Sequence, residues 1–182
     1  MGIEELENVD EEEIILVVVE EDKYQETNRD IIHHLTENRD HLGVYVTVNK
    51  PCMEVKKFLD ADGIDMDNLF FVDAISKQTC GIEKQYDNVI FMDSPEDLTG
   101  LSIVISETLE SMGDRKRFVF LDSISTLEIY NETKTITKFA HYLTGKMRSW
   151  DNVSGIIVSL RDEVDDEFIS TLSQFCDRKV VF

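Results

Sequence analysis

The run Ile14-Ile15-Leu16-Val17-Val18-Val19 is apolar at every position and rich in β-branched side chains. A strand with one wet face alternates apolar and polar residues. A strand that is apolar throughout has to be covered on both faces. This one segment therefore excludes a sheet open to water and calls for a sheet between two layers. Six residues are also far short of the roughly 20 that a membrane-spanning helix needs.

The rest of the chain supplies those layers. Residues 24–38 place Tyr24, Asn28, Ile31 and Leu35 on one helical face. Residues 44–48 read as a strand. Asn49 is placed to cap a helix holding Pro51, Val55, Phe58 and Leu59, which Gly63 ends. Residues 69–72 form a third strand closed by Asp73, residues 74–88 are polar and irregular, and residues 89–92 are a short strand. Ser94, Pro95 and Asp97 carry the cap, the first-turn proline and the capping-box acid of a helix. Leu98, Leu101, Ile105, Leu109 and Met112 continue it, and Gly113 ends it. Residues 118–121 are a buried strand closed by Asp122. Asn131 is placed to cap a helix with Ile136, Phe139, Ala140, Leu143 and Met147 on one face. A strand at 153–159, a helix at 165–175 and a strand at 179–182 complete the chain. Strand and helix alternate, which predicts an α/β fold: a three-layer, open, mostly parallel sheet with helices on both faces. Residues 14–182 form a single domain behind an acidic tail at 1–13.

Charge narrows the partners. The chain has 38 Asp and Glu against 18 Lys and Arg, a net charge of −20, so nucleic acid and anionic membranes are not expected. Ten of those carboxylates lie in the first 22 residues, with no base among them. The tail reads as a solvated, self-repelling segment, or else as a docking segment for a basic partner. Asp162, Glu163, Asp165, Asp166 and Glu167 form a second cluster. Cys52, Cys80 and Cys176 are odd in number, widely spaced and without a CxxC pair, which points to a reducing cytoplasm. His33 and His34 are neighbours on a helix and diverge by about 100°, a poor arrangement for one metal.

In such sheets, ligands bind beyond the carboxyl ends of the strands. After the first strand comes Glu20-Glu21-Asp22-Lys23-Tyr24-Gln25-Glu26-Thr27, which has no glycine. A phosphate loop needs glycines to turn backbone N–H groups inward, and neither GxxxxGK[ST] nor GxGxxG occurs in the chain. Phe118-Val119-Phe120-Leu121-Asp122 has the form of a Walker B strand, which would make Asp122 and Ser123 the candidate cofactor contacts. Ser123 and Ser125 sit in no GxSxG elbow and are expected to hydrogen-bond the turn. A receiver-like alternative has Glu20, Glu21 and Asp22 holding magnesium while Asp73 accepts phosphate.

Taken in order, four stretches are similar to one family: Val44-Tyr45-Val46-Thr47-Val48-Asn49-Lys50-Pro51; Leu69-Phe70-Phe71-Val72-Asp73-Ala74-Ile75-Ser76; Asn88-Val89-Ile90-Phe91 with Ser94-Pro95-Glu96-Asp97-Leu98-Thr99; and Phe118 to Leu127. The chain resembles the KaiC-like branch of the RecA-type ATPases, and more closely archaeal KaiC-like proteins that lack a phosphate loop. The resemblance implies a P-loop NTPase core with Asp122 as its Walker B residue. It also implies which positions have degenerated. Glu20, Lys23 and Thr27 lie where the phosphate loop belongs. Asn49 and Lys50 lie where active members carry a glutamate pair, and neither can act as a carboxylate base. The expectation is a non-catalytic regulatory or signalling module that does not hydrolyse ATP and needs no cofactor. Residual Mg or ATP binding through Asp122 is the alternative. Its partner would be another protein or a second copy.

Overall fold

In the computed structural model, which describes residues 12–81 and 85–182, seven strands form one sheet in which every pairing is parallel. They are β1 (Ile14–Val19), β2 (Leu42–Thr47), β3 (Leu69–Asp73), β4 (Val89–Phe91), β5 (Arg117–Asp122), β6 (Val153–Leu160) and β7 (Arg178–Val181). The helices between them are α1 (Tyr24–His33), α2 (Cys52–Ala61), α3 (Ser76–Thr79), α4 (Leu98–Ser111), α5 (Thr133–Met147) and α6 (Asp166–Ser173). The first continues through a π-helical stretch, His34–Asn38.

The order across the sheet is β4-β3-β2-β5-β6-β1-β7. From β1 the chain jumps past two strands to β2, steps outward to β4, then returns to fill β5 and β6. Right-handed crossovers put helices of the outward leg on one face and helices of the return leg on the other. The core divides accordingly. Ile15, Val17 and Val19 pack with Ile31, Ile32 and Leu35 of the first helical segment and Val55 and Leu59 of α2. Ile14, Leu16 and Val18 pack with Leu101, Ile105 and Leu109 of α4, Leu143 of α5 and Leu172 of α6. All six residues of β1 are buried, as their composition requires. Burying each such side chain stabilises the fold by about 1.5–3 kcal/mol. The three-layer parallel α/β architecture is thus the one the alternation predicts.

Local details differ. The Ser94 cap is displaced: α4 starts at Leu98, and the side chain of Asp97 accepts from the Gly100 N–H at 2.8 Å. Asn131 caps nothing. Its amide donates to the carbonyls of Pro95 (3.1 Å) and Leu127 (3.4 Å), tying two loops together. Nor does Asn49 cap α2, whose first N–H, at Cys52, is received by the carboxylate of Asp73 at 2.7 Å. Gly63 and Gly113 do take left-handed conformations just after α2 and α4. Most of the acidic tail, residues 1–11, lies outside the described residues. Its end belongs to the folded body: Glu12 accepts from the Asn152 N–H at 3.1 Å, and Glu13 pairs with Arg178 at 3.1 Å.

Candidate functional site

The carboxyl ends of β1, β6, β5 and β2 lie side by side, and the sequence-predicted residues fall around them. Asp122 ends β5 and is only 2% exposed. Both of its oxygens are occupied. Oδ1 accepts from the hydroxyl of Tyr24, at the start of α1, and Oδ2 accepts from the hydroxyl of Tyr45 on β2 at 2.5 Å. Asn49 Nδ2 in turn donates to the Tyr24 oxygen at 3.3 Å, and the Lys50 ammonium lies 5.9 Å from the centre of the Tyr24 ring. Burial pushes the Asp122 carboxyl above its ordinary value, while hydrogen bonds from Tyr24, Tyr45 and Asn28 and the charge of Lys50 pull it back. Both tyrosine hydroxyls are held well above their usual range, first by burial and then by the Asp122 charge. The cluster is a buried carboxylate clamped by two donors.

Ser123 is fully buried, with its Oγ 3.1 Å from Ser125 Oγ and 2.6 Å from Thr126 Oγ1. Ser125 Oγ accepts from the Leu160 N–H at 3.0 Å. These hydroxyls fasten the turn after β5 to the end of β6. Between β1 and α1, residues 20–23 make a tight turn in which the Lys23 N–H donates to the Glu20 carbonyl at 3.1 Å. Glu20, Glu21, Asp22 and Lys23 are exposed, and Thr27 is buried inside α1.

The receiver-like arrangement does not form. Asp73 on β3 and the acids after β1 are separated by β2, β5 and β6, which is four strand spacings, or about 19 Å. Asp73 is also fully buried and saturated: it accepts from the N–H groups of Cys52, Ile75 and Ser76 and from the Ser76 hydroxyl, at 2.6–2.9 Å. It is a structural cap. Nor does the geometry support Glu20, Glu21 and Asp22 as metal ligands, for among the described residues no three His, Cys, Asp or Glu side chains are grouped to hold a metal ion.

Two cavities flank Tyr24. One, of about 360 Å³, opens above the ends of β1 and β6, with Glu21, Asp22, Asp162 and Glu163 facing the single cation Lys50. The other, of about 380 Å³, runs between α1 and α2 under β2 and reaches Asn28, Tyr45 and Asp122. Asp122 lines the second cavity and not the acidic first one. Sequence reasoning missed Tyr24, Asn28 and Tyr45 as a polar cluster. The available signal was a Tyr and an Asn, four residues apart, on the apolar face of a helix, with a further Tyr inside an apolar strand.

The parallel sheet, with β6 between β1 and β5 and helices on both faces, matches the fold of KaiC-like, RecA-type structures. A KaiC-like protein, PH0186, from the hyperthermophilic archaeon Pyrococcus horikoshii superposes with a TM-score of 0.66 at 14% identity, over 93% of this chain and 70% of that one. An uncharacterized protein, PH0321, from the same organism, solved in complex with an unknown peptide, superposes with a TM-score of 0.70 at 13% identity, over 98% of this chain and 80% of that one. The chain itself belongs to a family of unknown function (DUF7504), which matches residues 15–182. No curated protein matches it. Among the described residues no helix is long and apolar enough to cross a membrane.

Proposed function

We propose that the chain is a degenerate KaiC/RecA-like ATPase that neither binds nor hydrolyses ATP and acts through protein contacts in regulation or signalling. The observation that carries this reading is the cleft beyond β1 and β6, where Glu21, Asp22, Asp162 and Glu163 outnumber Lys50. A triphosphate there meets repulsion, and no glycine-rich turn offers it N–H donors. Asp122 is buried, holds a tyrosine hydroxyl on each oxygen and does not line this cleft, so it is poorly placed to orient a hydrated magnesium ion there. Phosphoryl transfer depends on positioning and charge stabilisation by all of these parts together. The peptide held by the Pyrococcus relative supports a protein partner for this fold. The exposed Cys80 and the free Cys52 and Cys176 suit a cytoplasmic setting that keeps thiols reduced.

Thermal unfolding with and without millimolar Mg-ATP tests the reading, together with titration of a fluorescent ATP analogue. The expected result is an unchanged midpoint and no saturable binding. A clear stabilisation by Mg-ATP that Asp162→Lys strengthens would instead establish residual nucleotide binding in the cleft.

A further inference from the structure

The cavity between α1 and α2 shares Tyr24, Gln25 and Lys50 with the acidic cleft, but its base and its α2 wall have a chemistry of their own. Asn28 is 5% exposed, and its Oδ1 is buried without a hydrogen-bond partner. A buried acceptor left unpaired costs about 1–3 kcal/mol, so native folds seldom tolerate one unless something else satisfies it. Asn28 lies on the wall of the cavity, next to the Tyr45 and Asp122 pair. The two tyrosine hydroxyls already spend their protons on Asp122. Neither hydroxyl has a proton left for Asn28 Oδ1, which is the acceptor at the base without a donor. Val55, Phe58 and the ring of Tyr45 make the walls largely apolar, and the two aromatic rings offer faces for a planar ligand to stack on. Lys50 and Lys57 stand on the same cavity, whose two acids are the exposed Glu54 and the buried, tyrosine-bonded Asp122.

We infer that this cavity is a small-molecule site for a planar heterocycle that donates an N–H to Asn28 Oδ1 at its base and carries an anionic group toward Lys50 and Lys57. Its volume of about 380 Å³ lies in the range of ligand pockets. The N–H satisfies the one orphan acceptor, the ring fills the apolar walls, and the acid meets the two ammonium groups. A cationic ligand is disfavoured by those same lysines, and a ligand that can only accept leaves Asn28 as it was. The inference does not rest on the absence of nucleotide from the acidic cleft.

Indoleacetate, its N-methyl analogue and the uncharged methylindole are probes matched to these three features. Each is titrated into the full chain and followed by amide NMR shifts. Indoleacetate is expected to bind saturably, with shifts at the Asn28 side-chain amide, Val55 and Phe58. Methylating the nitrogen should weaken binding roughly tenfold or more, since it removes the donor to a buried acceptor. Lys57→Glu, at an exposed helical position, should weaken indoleacetate and leave methylindole unaffected. Asn28→Leu should erase the difference between the N–H and N-methyl probes. No saturable binding of indoleacetate, equal affinity for the two nitrogen forms, or shifts confined to Asp162 and Glu163 would overturn the inference.

Discussion

Burial disfavours the charged form of Asp122, and its neighbours favour it. Burial alone drives its folded-state value upward. A carboxyl whose folded value is raised contributes stability that is fully present below its unfolded value, and that is lost as pH rises through the folded one. The hydroxyls of Tyr24 and Tyr45 limit that loss by stabilising the charged form. Tyr45→Phe removes one of them and leaves the ring packing against Phe71 and Phe120 intact. The expected cost at neutral pH is about 1.5–3 kcal/mol, the range for hydrogen bonds to charged groups. The cost should shrink in acid, where Asp122 is protonated and the missing donor matters less. Urea denaturation of both proteins at neutral and mildly acidic pH measures this, and a pH-independent difference would show that Tyr45 acts by packing alone. Of this cluster only Asp122 was legible in the sequence, because a strand that ends in Asp follows a local pattern. Tyr24 and Tyr45 come from a helix and a neighbouring strand, and only the folded sheet brings them to the same carboxylate.

At the scale of elements, the strands and the starts of α1 and α6 were legible to within a residue or two, whereas the caps of α2, α4 and α5 were not. Continuous apolar runs such as Ile14–Val19 and the neighbours of Val119 leave little freedom. Caps are different, since a polar side chain near a helix start can find a better partner elsewhere. Asn49 is taken by Tyr24 and Asn131 by the loop carbonyls of Pro95 and Leu127. Asp97 and Asp165 do cap α4 and α6. The Asp97 cap also explains Gly100. A methyl group added there would fall on the carboxylate of Asp97. In an unobstructed helix, Gly→Ala gains up to about 1 kcal/mol. Here Gly100→Ala should forgo that gain, because the methyl dislodges a cap worth about 1 kcal/mol. In an Asp97→Ala background the same substitution should be stabilising. That difference in a double-mutant cycle, read by chemical denaturation, separates cap displacement from any general intolerance of alanine at this site.

For the whole molecule, the alternation of strand and helix carried the architecture, but not the order of strands on which the site depends. No residue pattern announces that β6 lies between β1 and β5, or that Asp73 and Glu21 end up far apart. Charge has the same dual character. The excess of −20 is plain in the composition, while its concentration around one cleft appears only when the turn after β1 meets the turn after β6. There Glu21, Asp22, Asp162 and Glu163 come together from segments that are distant in the chain, and like charges brought together by folding oppose it. At about 0.01 M salt the screening length is about 30 Å, and at about 0.15 M it is about 8 Å, so this opposition should fade as salt is added. The melting temperature should therefore rise with sodium chloride. The double variant Asp162→Lys with Glu163→Lys should melt higher than the parent at low salt, and the two curves should converge as salt increases. Scanning calorimetry across that range is the check. A gain that persists at high salt would trace the effect to new contacts made by the lysines, and a melting temperature that ignores salt would mean that the carboxylates are already neutralised by something they hold.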